Sequence, residues 1–211
     1  MAEPAPKDLI VLVADKDMKL GLEGLLKRPG VLGIRPITHD VFPHPQHDPA
    51  CLLRGHEFLR SFSRQYAHAL VVFDREGCGS DKVPDALQSV VEGHLRGSGW
   101  SDRAAAVVID PELDMWVWSD SPHVDSILGW QGRQPALRDW LVQVHKDYWA
   151  EGEAKPRCPK KALLAALYEA RKPRTAAIYQ ELAARVSVQR CMDAAFLRLL
   201  HILRKWFPPA A

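Results

Sequence analysis

Short, continuously apolar runs alternate along the chain with stretches of mixed polarity. The clearest runs are residues 9–14, 69–73 and 104–109, and GIRPIT at 33–38 is a weaker candidate, since its Pro36 places it at a sheet edge or interrupts it. Runs of this length are typical of strands that are buried on both faces. Strands of this kind alternating with helices predict an α/β fold in which a mainly parallel sheet is flanked by helices.

The stretches between these runs carry apolar residues at spacings of three and four, which predicts an amphipathic helix after each of the first three strands. The second helix is expected near 52–65, after a loop rich in proline and histidine at 41–50. Six of the seven tryptophans lie between Trp100 and Trp149, which indicates aromatic packing against the sheet. An apolar stripe after Asp193 predicts a final helix with that residue as its N-cap.

The end of the chain differs from the rest in charge. The formal net charge of +2 hides 16 Lys or Arg against 23 Asp or Glu in residues 1–154, and 12 against 3 in residues 155–211. This division predicts an α/β domain at 1–150 and a basic helical C-terminal segment at 151–211 that packs on it. Such an asymmetry is typical of proteins with a polyanionic partner.

The basic end supplies candidates for binding nucleic acid, because clustered Lys and Arg neutralise backbone phosphates. The candidate residues are Lys160, Lys161, Arg171, Lys172 and Arg174. Two structural alternatives stay open: these side chains form a solvated helix surface, or they cover the acidic body of the same molecule.

Several classes of protein are excluded by motifs that the sequence lacks. The four cysteines form no C-x-x-C pair, which excludes a zinc knuckle or a thioredoxin motif. No P-loop, dinucleotide-binding glycine fingerprint or G-x-S-x-G elbow is present. The first residues do not resemble a secretory signal, and no apolar run approaches the roughly 20 residues that span a bilayer. We therefore expect a cytoplasmic protein.

Acidic residues follow three of the four apolar runs. They are Asp15, Asp74 with Glu76, and Asp110 with Glu112. Because ligands of open α/β sheets bind at the carboxyl ends of the strands, these side chains are expected to converge on one crevice. A hard divalent cation would relieve their mutual repulsion, which predicts metal-assisted phosphoryl transfer or phosphodiester cleavage. Taken singly, Asp15 also suits a helix N-cap, and Asp74 a turn before Gly77.

Two further features are weaker candidates. His44, His47 and Asp48 carry side chains that bind transition metals or transfer protons, but the favoured interpretation is a surface loop whose histidines are solvated or satisfied by their neighbours. Cys78 lies between two glycines, where an exposed thiol could act as a nucleophile, although the sequence offers it no activating partner.

Three segments of the chain resemble the signature regions of TOPRIM-like proteins: LIVLVADKDMKLGLEGLL, HALVVFDREGCG and VVIDPELDMWVWSD. The order of segments is most similar to an uncharacterised TOPRIM-related family from prokaryotic defence islands, close to a component of methylation-associated phage-defence systems. Pro111–Trp116 and Cys191–Phe196 match further motifs of that family, so the resemblance extends over nearly the whole chain.

The resemblance implies that Asp15, Asp74 and Glu76 bind Mg²⁺ or Mn²⁺ and take part in catalysis, with Glu112 as a fourth ligand. Two departures put cleavage in doubt. The usual first motif is Glu followed by Gly, whereas residues 14–16 read Ala-Asp-Lys, and the second motif is Asp-x-Glu instead of Asp-x-Asp. An Asp side chain is one methylene shorter than Glu, which limits its reach as a general base.

The expected function is thus a Mg²⁺-dependent nuclease, or another phosphodiester-acting protein, in antiphage defence. The alternative is a catalytically inactive subunit that binds nucleic acid or another component of a defence complex. A hydrolase of a small phosphorylated metabolite is a third interpretation of the same acids. The fold alone does not distinguish among them, because function depends on the site.

Overall fold

A four-stranded, all-parallel sheet forms the centre of the computed structural model, which describes residues 5–209. The strands are β1 (Lys7–Val13), β2 (His39–Pro43), β3 (Tyr66–Asp74) and β4 (Ala104–Ile109), in the spatial order β2-β1-β3-β4. The predicted α/β class is confirmed, and the arrangement is consistent with a TOPRIM-like fold. The expectation that the first residues form no secretory signal falls partly on residues 1–4, which lie outside the described residues.

Helices cover the sheet and make up most of the C-terminal third. Within residues 5–209 they are α1 (Lys16–Leu26), α2 (Pro29–Leu32), α3 (His47–Arg60), α4 (Pro84–Leu95), α5 (Pro122–Ile127), α6 (Leu137–Val144), α7 (Pro159–Glu169), α8 (Ala176–Arg185) and α9 (Ala194–Trp206). A 3₁₀ turn at Leu113–Trp116 follows β4. Among residues 5–209, each helix is too short or too polar to cross a lipid bilayer.

The strand predicted at 33–38 is wrong, because β2 begins at His39. Gly33 ends α2 with a left-handed backbone (φ +72°), and the strand pairing with β1 starts only after Thr38, whose carbonyl accepts the N–H of Leu9. β2 lies at the sheet edge and buries only Val41 fully, so its sequence lacks the apolar run that marks a central strand. The following helix also begins earlier than predicted.

The opposite edge strand, β4, is covered by side chains from two helices. On α4, Gln88 Oε1 accepts the N–H of Val108 (3.3 Å) and Glu92 Oε1 accepts that of Ala106 (3.0 Å). Arg198 of α9 donates through Nε to the carbonyl of Ala106 (2.8 Å) and pairs through Nη2 with Glu92 Oε1 (2.6 Å). Backbone groups that would otherwise attract another strand are thereby satisfied within the chain.

The basic C-terminal segment contacts the first helix of the sheet region. Helix α8 lies so close to α1 that a Cβ atom on Gly24 would come within 2.8 Å of the Gln180 carbonyl oxygen. Arg28 joins the same two regions by donating from Nη1 to the carbonyls of Ala183 (2.7 Å) and Val186 (2.9 Å). The charge boundary near residue 150 is therefore bridged by intimate contacts.

Candidate functional site at the carboxyl edge of the sheet

The carboxyl ends of the parallel strands bring several acidic side chains to one edge, which we call the carboxyl edge. Asp15 lies two residues beyond β1 and is the N-cap of α1, with its Oδ1 accepting the N–H of Met18 at 2.9 Å. Its structural role is thus the one that a helix start predicts. The same position leaves Asp15 beside the end of β3.

Asp74, the last residue of β3, is the most unusual carboxyl group at this edge. Its Oδ1 is inaccessible to solvent and has no hydrogen-bond partner among residues 5–209. Burial raises the pKa of Asp74 well above its usual value, and the negative charges of Asp48, Asp15 and Asp114 raise it further. A buried carboxylate without a donor needs either a proton or a cation.

Asp48 is the carboxylate whose negative charge raises the pKa of Asp74 most. From the sequence, Asp48 was expected in a surface loop. Because α3 begins at His47, Asp48 lies in its first turn, where its Oδ1 accepts the backbone N–H of Asp74 at 2.8 Å. Burial raises the pKa of Asp48. The pKa of the buried Cys51 thiol is raised first by burial and then by Asp48, Asp15 and Asp74, which places these three acids around it.

His44, which precedes α3 in the same segment, interacts with the backbone of the turn and not with these acids. His44 is buried, and its Nδ1 accepts the N–H of Gln46 at 3.1 Å, which closes the turn before α3. Burial lowers the pKa of His44. The favoured interpretation allowed for histidines satisfied by their neighbours, and His44 is satisfied in this way, while His47 is exposed.

A second group of acids is joined to the C-terminal segment. Tyr179 of α8 donates its hydroxyl hydrogen to Asp114 Oδ1 (2.7 Å), and Arg174 Nη2 donates to the Tyr179 oxygen (2.7 Å) and pairs with Asp17 Oδ2 (2.6 Å). Burial raises the pKa of both Asp17 and Asp114. Asp114 also influences Asp74, so the two groups of acids adjoin each other.

Glu112 and Glu76 lie at the margin of this region. Glu112 is buried and accepts the backbone N–H of Lys160 at 3.1 Å, with the Lys160 ammonium 3.7 Å away. Burial, with Asp114 as the next cause, raises the pKa of Glu112. Glu76 is exposed on the turn after β3, and its charge acts on Glu112.

Two other predicted candidates are turned away from the carboxyl edge. Asp110, which follows β4, pairs with Arg75 (Nε to Oδ1, 2.6 Å). Cys78 is buried, and its Sγ lies 3.7 Å from the Ser80 carbonyl oxygen, so the interpretation as an exposed nucleophile is wrong.

The predicted metal ligands do not form a closed metal site. Among residues 5–209, no three His, Cys, Asp or Glu side chains are arranged so that they could hold a metal ion. The donor chemistry of the edge is still that of a hard divalent cation, because its groups are carboxylate oxygens and Asp74 Oδ1 lacks a donor. Asp15 and Asp74 were candidates from their strand ends and Asp48 from its loop, whereas nothing in the sequence indicated Asp114.

The five basic candidates divide into two groups. Three interact within the molecule: Lys160 with Glu112, Arg174 with Asp17, and Lys172 through Nζ with the Ile127 carbonyl. Lys161 and Arg171 are exposed, and in the described part of the chain neither forms an ion pair. The alternative in which basic side chains cover acids of the same molecule holds for Lys160 and Arg174.

Comparison of the chain with protein-family models, with curated proteins and with solved structures finds no match.

Proposed function

We propose that the carboxyl edge binds a divalent cation, Mg²⁺ or Mn²⁺, and that the protein is a TOPRIM-like nuclease acting on phosphodiester bonds. The observation that carries this proposal is Asp74, whose buried Oδ1 has no hydrogen-bond donor among residues 5–209 and is adjoined by further carboxylates. A divalent cation would lower the electrostatic cost of keeping these groups ionised together. The resemblance in sequence supports a role in cytoplasmic antiphage defence.

The residue to which we assign the cation is Asp74, and Asp15 and Asp48 are the carboxylates whose charges act on it. A bound cation would supply Lewis-acid stabilisation of charge on a phosphate. Asp48 orients the end of β3 by accepting the Asp74 N–H, and Asp15 holds the start of α1 beside it. The exposed Glu76 stays a candidate for the catalytic and metal-binding role that the resemblance implies, and Glu112 fixes the start of α7.

A second candidate function is a catalytically inactive subunit that binds nucleic acid or a protein of a defence complex. It is favoured by the way in which the acids are already engaged: Asp15 caps a helix, Arg174 neutralises Asp17, and Lys160 lies beside Glu112. Each such contact reduces the negative charge that is left for a metal ion. This function requires binding without cleavage.

The deciding experiment measures cleavage of plasmid, single-stranded DNA and RNA in Mg²⁺, Mn²⁺ or EDTA. We expect Asp74→Asn to lower the rate on the order of 100-fold, the loss typical when one stabilising group is removed from an active site. The matched control is Asp102→Asn, since the Asp102 side chain is 97% exposed and lies on another loop. Equal rates for the wild type and Asp74→Asn would refute the nuclease proposal.

Calorimetric titration with Mg²⁺ separates the two functions. The nuclease proposal requires binding that Asp74→Asn abolishes and Asp102→Asn preserves. Binding of nucleic acid that is undiminished in EDTA, together with an absence of cleavage under all conditions, would favour the inactive subunit.

A further inference from the structure

One face of α7 carries exposed apolar and basic side chains in a single stripe, which we call the α7 stripe: Lys161, Leu164, Tyr168 and, just beyond the helix, Arg171. The spacings of three and four positions place Lys161, Leu164 and Tyr168 on one side of the helix, and Arg171 follows its C-terminal end. Tyr168 is 86% exposed and Leu164 is 44% exposed. A tyrosine with that exposure contributes little to the core, so packing does not explain its presence.

The charges of the α7 stripe are positive and not neutralised within the described part of the chain. Lys161 and Arg171 form no ion pair there, in contrast to Lys160, Arg174 and Arg198. The acid nearest in sequence, Glu169, faces Arg133 with 4.0 Å between Oε1 and Nη1. The α7 stripe is thus complementary to a polyanion.

A row of aromatic rings supports the amino end of the stripe. The Lys161 ammonium lies 6.0 Å from the centre of the Tyr148 ring, which stacks on His145 at 5.0 Å with only 4° between the ring planes. Trp140 contacts His145 edge-on at 5.1 Å. The packed rings restrict the position of the Lys161 ammonium and reduce the conformational entropy that its side chain would lose on binding a phosphate.

The α7 stripe also leads toward the carboxyl edge. Helix α7 has 11 residues, a length of about 16 Å at 1.5 Å per residue. Its first turn meets the acids through the Lys160 N–H and Glu112, whereas Arg171 lies past its far end. A strand lying along α7 from Arg171 to Lys161 would therefore end near Glu112, at the margin of the carboxyl edge.

We propose that the α7 stripe binds single-stranded nucleic acid, with a base stacked on Tyr168 and phosphates at Lys161 and Arg171. An exposed aromatic ring can stack on the face of an unpaired base, and the grooves of a duplex do not expose such faces. A single line of cations on a convex helix also suits one backbone better than two. The idea that the bound strand leads to the carboxyl edge rests on the proposed function. The binding itself does not rest on it, because binding requires no metal.

The test is fluorescence anisotropy with the full chain in EDTA, using a single strand of about 12 nucleotides, a length within the usual site sizes, and the same strand annealed to its complement. We expect tighter binding of the single strand. Tyr168→Ala should weaken that binding about 10-fold, the usual effect of removing one base-stacking ring, and Tyr168→Phe should retain it. Circular dichroism verifies that the exposed substitution leaves the fold intact.

The charge arm compares two double variants with equal changes in net charge. Lys161→Glu with Arg171→Glu should abolish most binding and flatten its salt dependence. The control, Arg64→Glu with Lys205→Glu, alters exposed cations outside the α7 stripe and should bind as the wild type does.

Unchanged affinity of Tyr168→Ala and of the Lys161/Arg171 variant would overturn the proposal and leave the exposed face to a protein partner. Equal affinity for single strand and duplex would overturn the strand preference. Because these measurements use EDTA, they are independent of cleavage. A failed nuclease assay with intact binding would refute only the proposed catalytic function.

Discussion

Asp74 illustrates how one residue can be identified from sequence while its surroundings cannot. Its position after an apolar run already indicates the carboxyl end of a strand. Its partners Asp48 and Asp114 are 26 and 40 positions away in the sequence, on elements that only the folded chain brings together. Asp48 was a candidate only as part of a loop, because the start of α3 was placed too late, and Asp114 was missed because nothing in the sequence indicates its contact with Tyr179.

The stability of the protein should depend on pH through Asp74. Because its pKa is raised in the folded state, the folded protein binds this proton more tightly than the unfolded chain does. The stability that the group contributes is present below its unfolded pKa and is lost as pH rises through the folded pKa. Asp74→Asn removes this loss, so in EDTA near neutral pH we expect a Tm roughly 2–4 °C higher than that of the wild type.

Thermal unfolding of both proteins between about pH 4, near the unfolded pKa of Asp, and neutral pH measures this difference. It should vanish toward the acidic end. Mg²⁺ should raise the Tm of the wild type and not that of Asp74→Asn. A variant that is less stable than the wild type across the whole pH range would contradict the electrostatic explanation.

At the scale of elements, three of the four strands were predictable and the edge strand β2 was not. β1, β3 and β4 lie at or within two or three residues of their apolar runs, because each of them is buried over most of its length, including β4 at the other edge. β2 is fixed instead by its register with β1, in which Leu9 pairs with His39. Pairing of this kind depends on contacts between distant residues, so local hydrophobicity placed the strand too early.

The close contact between α1 and α8 predicts opposite effects of one substitution at two helical glycines. A Cβ atom at Gly24 would lie 2.8 Å from the Gln180 carbonyl oxygen and 2.9 Å from Ala183 Cβ, whereas one at Gly93 of α4 would meet nothing within 4 Å. We expect Gly24→Ala to lower the free energy of unfolding by about 1–2 kcal/mol through overpacking. Gly93→Ala should raise it by up to about 1 kcal/mol through helix propensity.

Urea denaturation followed by circular dichroism gives both free energies of unfolding. The two substitutions add the same methyl group to a helix interior, so each is the control for the other. Stabilisation by Gly24→Ala would show that α8 does not approach α1 as described.

For the whole molecule, the division of charge is partly neutralised across the contact between its two parts. Arg174 and Lys160 from the basic end lie against Asp17 and Glu112 of the acidic body. Composition alone revealed the excess of each sign but not which cations are engaged. Ion pairs between distant segments depend on the tertiary arrangement. The sequence therefore could not show which basic residues are paired within the molecule and which remain free for a partner.

Arg174→Met should therefore destabilise the fold more than Arg171→Met. Removing the guanidinium leaves Asp17 and Asp114 partly buried without their cation, and we expect a loss of about 1–3 kcal/mol at neutral pH. The loss should shrink in acid, because the raised pKa of each carboxyl favours its neutral form. Equal denaturation midpoints for the two variants at neutral pH would contradict this assignment.

The contact of Arg198 with the edge strand affects the order in which the protein can be completed during synthesis. The Ala106 carbonyl receives its donor from a residue 92 positions later, on the last helix of the described chain. Before α9 has been synthesised, β4 can pair with β3 and its outer N–H groups can bond to α4, but the Ala106 carbonyl stays open to another extended chain. Folding of α9 onto β4 is thus the step that removes this backbone group from edge-to-edge association with neighbouring molecules.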